Sequence, residues 1–317
     1  MQGKTLVGFA LALVSAIAFA TSGSFAKGLL DTGWSPAAAV TWRVGVGGLL
    51  LAIPAILSLR GRWHLLREAL PSIVLFGVVA TAATQLAFYQ AISHVTVGVG
   101  ILLEFLGVFL VVGWRWMSYG ERPRPLTVLG SGLAILGLFF VLGIFGAVEV
   151  DLVGVVWGLG AALGLAAYFV ISSNEHLAIP PLAFAAGGLL VGALTLGLAG
   201  LAGFAEMSWG TNPVSLSGMT VPWWVDVAAL GLVSTAIAYT TGVSANRRLG
   251  SKMASFVGLS EVMGAVLVAW VLLGEVPAPV QLLGGVFIVM GVVAVRLDER
   301  SGPVPAVDEL ATEMAAT

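Results

Sequence analysis

The sequence predicts an all-α polytopic membrane protein of ten transmembrane helices, arranged as two inverted five-helix repeats. Three observations carry that prediction. Of 317 residues, 59% are hydrophobic and only 9% charged, against about 25% charged in soluble domains. Ten apolar runs succeed one another with short connections. One twelve-residue stretch, Tyr119–Gly130 (YGERPRPLTVLG), returns as Leu273–Gly284 (LGEVPAPVQLLG).

Taken in order, the runs cover residues 5–29, 36–58, 71–92, 96–118 and 125–146, then 152–173, 180–203, 222–246, 251–273 and 278–296. Each comes near the ~20 residues needed to cross a ~30 Å hydrocarbon core as a helix. Pro36, Pro71, Pro125, Pro180 and Pro222 fall at or near expected helix starts, where the missing N–H costs nothing. Only 204–221 makes a long connection, and the acidic segment 297–317 reads as a disordered tail. The expected units are therefore 1–148 (helices one to five), 149–296 (helices six to ten) and that tail. A signal-peptide reading of Ala16–Ala20 competes at the start, but cleavage there would leave four helices against five.

Orientation follows from charge. With a cytoplasmic N-terminus, Lys4, Arg60, Arg62, Arg67, Arg115, Arg122, Arg124, Arg247, Arg248, Lys252, Arg296 and Arg300 all face inside. Only Lys27 faces outside, and Arg43 lies within a span. Such a bias places both termini in the cytoplasm, with a bacterial inner membrane as the expected location.

The repeated stretch now makes sense. Five helices is an odd number, so the second half enters the membrane upside down. The turn between helices four and five lies inside, and its copy between nine and ten lies outside. The inside copy carries Arg122 and Arg124 where the outside copy has Val276 and Ala278, since outside loops disfavour Arg. Gly120 and Gly274 are expected to end helices. Glu121 and Glu275 are expected as caps near the positive end of the next helix. Inverted repeats of this kind mark secondary transporters, with the site near the midplane between the halves.

Ionisable groups inside hydrocarbon are costly and usually face a cavity or a partner. Three lie deep: Arg43, Glu104 and Glu261. An Arg43–Glu104 ion pair is expected, leaving Glu261 without an assigned partner and free to take up a proton or a substrate amine. Ser22, Gln85, Tyr89, Tyr168, Tyr239 and Ser260 lie well inside helices one, three, six, eight and nine. They are the expected lining of a polar and aromatic cavity for a small solute; each is alternatively an interhelical hydrogen bond.

Other classes find less support. The chain has no Cys, and His64, His94 and His176 lie in or beside loops. No nucleophile–base pair or metal cluster forms at membrane depth, so neither an intramembrane enzyme nor a metal or other cofactor is expected. A net charge of -2 gives no sign of nucleic-acid binding. The expected partners are the lipid bilayer, a small-molecule substrate and protons, in a monomer or homodimer.

The residues resemble a known family at this point. Glu104 with Glu121, and Glu261 with Glu275, each pair closed by Gly-Glu, look like the EamA branch of the drug/metabolite transporter superfamily. Phe19–Lys27 resembles the end of its first helix and Trp42-Arg43 its second-helix Arg. Leu103-Glu104-Phe105-Leu106-Gly107 is similar to the Glu-Phe-x-Gly of its threonine/homoserine exporters. The chain departs from the pattern in two places. A Pro usual soon after each deep Glu is missing near Val108 and Val262, and three extra residues stand around Trp114-Arg115-Trp116. The resemblance implies ten helices in two inverted repeats and export of small metabolites, often amino acids, with multidrug efflux as the alternative.

Overall fold

The computed structural model describes residues 2–110, 117, 125–141, 151–172, 174 and 177–300. Gly120 and Glu121 lie outside the described residues, as does the tail beyond Arg300.

The first apolar run forms two helices, α1 (Gln2–Ala20) and α2 (Ser22–Leu30), broken at Thr21. Next, α3 (Pro36–Ser58) begins behind Ser35, whose hydroxyl accepts from Ala38 N at 3.3 Å, an N-cap ahead of a first-turn proline. The third run starts earlier than expected. Helix α4 (Trp63–Leu75) contains Pro71 in its interior, passes into a π-helical segment at Phe76–Ala83, and resumes as α5 (Thr84–His94). Pro71 is therefore no helix start; Trp63–His94 forms one unbroken apolar path of 32 residues. Then come α6 (Val97–Phe105), capped by Thr96, and α7 (Pro125–Val141).

In the second half, α8 (Leu152–Ser172) and α9 (Pro181–Leu201) match their apolar runs closely. The long connection holds a feature the sequence did not foretell: a β-hairpin, β1 (Val214–Leu216) paired antiparallel with β2 (Met219–Val221). Helix α10 (Trp223–Gly231) leads through a second π-helical segment, Leu232–Ile237, into α11 (Ala238–Leu273), and α12 (Pro279–Arg300) closes the described chain. This last helix continues four residues past the expected end of the tenth run.

Helix α11 is 36 residues long, which as a straight rod would be about 54 Å. Its contacts show that it folds back. Gly8 of α1 packs against Leu249, while Ala20, at the other end of α1, packs against Gly264. Thr21 bonds Ser234, so residues 234 and 264 lie level and 249 lies a helix length away. The contacts thus set the two arms of α11 side by side along α1, with Leu249 at their far end.

Six described helical stretches are long and apolar enough to cross a membrane, and four shorter apolar helices accompany them. Packing follows a paired scheme. Helix α1 lies on α11, α8 on α5 and α6, α3 on α9, and α7 on α12. Glycine permits the closest approaches: a Cβ on Gly107 would collide with Ala162 O, and one on Gly164 with Thr84 Oγ1. Small residues of this kind let helices meet where no water drives them together.

Candidate functional site

The two π-helical segments shape the centre. At each, a threonine hydroxyl reaches back five residues: Thr84 Oγ1, just past the first segment, donates to Val79 O at 2.7 Å, and Thr235 Oγ1 to Leu230 O at 2.8 Å. The widened turn leaves carbonyls free for outside donors, and one of them, Ser234 O, is taken by Arg43.

Arg43 sits on α3 and is 1% exposed. Its Nε donates to Thr235 Oγ1 at 2.9 Å and Nη2 to Ser234 O at 2.8 Å. Nη1 donates to Gln85 Oε1 and, at 3.3 Å, to Tyr89 Oη; the guanidinium also lies over the Tyr89 ring. Four of its five N–H groups thus have described partners, all neutral. Thr21 Oγ1 and Ser234 Oγ share a hydrogen bond of 2.7 Å, which attaches the break between α1 and α2 to the same hub. Ser22 Oγ is buried beside Tyr89 without closing a hydrogen bond.

This arrangement corrects one expectation. Arg43 makes no ion pair with Glu104; among the described residues only Lys27–Asp31 and His94–Asp151 come within salt-bridge distance. Glu104 is buried and Glu261 half-buried, and no described residue donates a hydrogen bond to either. They do share a level. Gly98 on α6 lies against Val266 on α11. Six residues on from the one and five back from the other bring both carboxyls about 8–9 Å further along. Arg43 and the two acids lie within electrostatic range of one another.

On the side of α1's N-terminus, rings close the centre. Phe19 meets Tyr239 at 5.0 Å and Tyr168 at 6.3 Å between centroids; Phe76 meets Tyr168 at 5.8 Å and Tyr239 at 6.2 Å. Beneath them is a small cavity between α1, α8 and both arms of α11, bordered by Ser15, Phe19, Tyr168, Gly242 and Asn246. Tyr168 and Tyr239 thus belong to the seal, with Tyr168 also facing the cavity. Ser260 Oγ is occupied by its own helix, donating to Val257 O at 2.7 Å, and joins neither cluster.

Besides Ser234 and Thr235, which hold Arg43, buried polar residues that escaped the sequence reading include Asn246 and Asp226. Asn246, 2% exposed, donates to Ser172 Oγ at 2.7 Å; beside Arg247 and Arg248 it reads as part of a cytoplasmic end. Asp226, 1% exposed, has neither carboxyl oxygen bonded; in the first turn of α10, behind Pro222 and two Trp, it reads as interfacial.

The repeated turn also differs from expectation. Gly274 ends α11 in the left-handed conformation, φ 70°, as glycine does at low cost. Glu275 caps a different helix from the one that follows it. Its Oε2 accepts from Val97 N at 2.9 Å, at the start of α6, while Gln281 Oε1 serves Ala278 N. Among the described residues no group of three metal-ligating side chains occurs.

At the α5–α6 and α8 ends, Asp151 Oδ1 accepts from Val153 N at 2.8 Å and Oδ2 contacts His94 Nδ1 at 2.9 Å. The Val153 N–H, then His94, hold this carboxyl below its ordinary value of 3.8. A depressed acid contributes stability that is full above the unfolded value and lost as pH falls through the folded one. Asp151→Asn should therefore lower the melting temperature slightly at neutral pH and converge with the parent as pH falls below about 4, which thermal melts across pH would measure.

Comparison with known proteins agrees with the fold. The family model described as EamA-like transporter family matches residues 6–143 and 152–297. An uncharacterized transporter, YwfM of Bacillus subtilis (strain 168), is 24% identical over 289 residues, 91% of this chain and 93% of that one. The threonine/homoserine exporter RhtA of Escherichia coli (strain K12) is 29% identical over 212 residues, 66% of each chain. One solved crystal structure superposes with a TM-score of 0.62 at 22% identity, covering 96% of this chain and all of that one; this likeness concerns the fold.

Proposed function

The chain belongs to the EamA-like transporter family, and from that premise we propose that it exports small amino-acid-like solutes by alternating access between two inverted five-helix repeats. The observation that carries this reading is the unspent polar capacity at the centre. Arg43 keeps one N–H without a described partner, while Glu104 and Glu261, within its electrostatic range, have no hydrogen-bond donor among the described residues. A zwitterion fits this set: its carboxylate to Arg43, its ammonium to the acids. Polar groups at membrane depth are kept where they meet an ion or a solute.

The packing scheme supports the inverted repeat. Exchanging the halves turns α1-on-α11 into α8-on-α5, and returns α3-on-α9 and α7-on-α12 to themselves. Each half also carries a π-helical segment in its third span and one deep Glu in its fourth.

Flux into and out of proteoliposomes tests the reading. With purified protein, labelled L-threonine or L-homoserine should move faster than in empty vesicles, and faster again under a pH gradient. Failure across a panel of amino acids, with flux of lipophilic cations instead, would favour multidrug efflux. Topology is a separate expectation from the charge count. A reporter fused after Arg296 should be active only in the cytoplasm, and activity solely outside would overturn the inverted arrangement.

A further inference from the structure

At the hairpin end of the bundle lies a polar hollow apart from the central site. Lys27 of α2 and its C-cap Asp31, Ser215 and Ser217 of the hairpin, and Glu275 border it. The hollow is held in shape from several sides. Val214 and Leu216 pack on Gly28, and Ser217 N donates to Leu272 O at 2.7 Å. Ser217 keeps a positive φ of 53°, a conformation that non-glycine residues adopt at some cost and retain where the surroundings dictate it.

Its charges are placed with care. The Lys27 side chain is only 20% exposed; Nζ donates to Ile92 O at 3.0 Å and stands 3.7 Å from Asp31 Oδ1. Only the contact with Ile92 O is within hydrogen-bond reach, which leaves two of its three N–H donors. Glu275 spends Oε2 on Val97 N and keeps Oε1. Burial pushes the Glu275 carboxyl up, while the Val97 N–H and Lys27 draw it down and Asp31 raises it, so these groups feel one another across the hollow. A clasp between α2 and α5 would need only Lys27 and Ile92 O. It would not need two acids and two serines around an open space.

We propose that this hollow is a second solute site, which binds a zwitterionic amino acid with its carboxylate on Lys27 and its ammonium between Asp31 and Glu275. One cation and two anions match one carboxylate and one ammonium, with an excess of negative charge that favours the amine end. A free anion would be repelled by two acids, and a metal cation would meet Lys27. The site goes beyond the central one, and its occupancy can be read without any flux.

The chain has no Cys, so Ser217→Cys supplies a single thiol in the hollow. In nanodiscs, its rate of modification by a maleimide is measured with L-threonine, with 3-hydroxybutyrate (the same solute without the amine) and with 1-amino-2-propanol (without the carboxylate). L-Threonine at twice its Kd should slow modification about three-fold, the fraction of free sites falling as 1/(1 + [L]/Kd). The two analogues should leave the rate unchanged at that concentration. Adding Lys27→Gln, or the exposed Asp31→Asn that bears little on folding, should remove the protection. Protection by 3-hydroxybutyrate equal to that by L-threonine, no protection by L-threonine, or protection that survives both substitutions would each overturn the site. Absent protection with flux intact would sink this site and leave the transport reading standing; protection without flux would do the reverse.

Discussion

Alanine at Arg43 is expected to abolish transport and to lower the melting temperature of the purified protein by several degrees. The substitution strands Gln85 Oε1, Tyr89 Oη, Thr235 Oγ1 and Ser234 O in a buried site, at about 1–3 kcal/mol for each acceptor left dry. Removing a buried cation returns part of that cost, and re-pairing among the acceptors recovers more. A net loss on the order of 3 kcal/mol remains by that reckoning. Lysine should fall between, since three donors on a point charge cannot reproduce the planar fork that reaches four partners. Melting and flux of Arg43→Ala and Arg43→Lys, side by side, check both effects. An Arg43→Ala protein that melts and transports as the parent does would strip Arg43 of the role given to it.

Glutamine at Glu261 should eliminate the response of flux to an imposed pH gradient while leaving folding intact. The change preserves volume and removes only the titratable group. Glu261 has no donor to lose, so stability should move by well under 1 kcal/mol, as for sites away from a bonded network. Glu104→Gln is the informative companion. Were Glu104 the counter-ion of Arg43, glutamine there would strand a buried charge and cost 3–5 kcal/mol. With Arg43 held instead by neutral groups, Glu104→Gln should melt within a degree or two of the parent and be impaired in transport. Gradient-driven flux at the parental rate in Glu261→Gln would remove that residue from the coupling step.

Much of this protein is legible in its sequence because hydrocarbon is a strict solvent. The apolar runs mark ten segments, and eight of their starts recur within three residues, while the third begins eight residues early and the ninth lies inside α11. Depth is legible too: Arg43, Gln85 and Tyr89 meet at the centre as their positions along the runs imply. What a run does not reveal is its opposite number. Charge matching selects Glu104 as the partner of Arg43, but the partner that matters is a backbone carbonyl, Ser234 O, made available by a π-helical turn. Nothing in Leu232–Ile237 signals that turn, since its residues suit an ordinary helix equally well. Glu275 escaped in the same way, because its cap is made with α6, far away in sequence. Asp226 is buried because α10 packs against both α2 and α3, a neighbourhood that its own helix does not announce.

The rings of Phe19, Phe76, Tyr168 and Tyr239 have an electrical consequence as well as a steric one. A small cavity lies on one side of them and the polar hub around Arg43 on the other. Membrane voltage falls across whatever is dry, and such a thin apolar layer concentrates the fall. A unit of net charge carried past it exchanges about 2.3 kcal/mol for every 100 mV. A zwitterion carries none and crosses indifferent to the field. On the proposed proton-coupled cycle the voltage would therefore act on the proton alone, and would drive the solute only through that coupling.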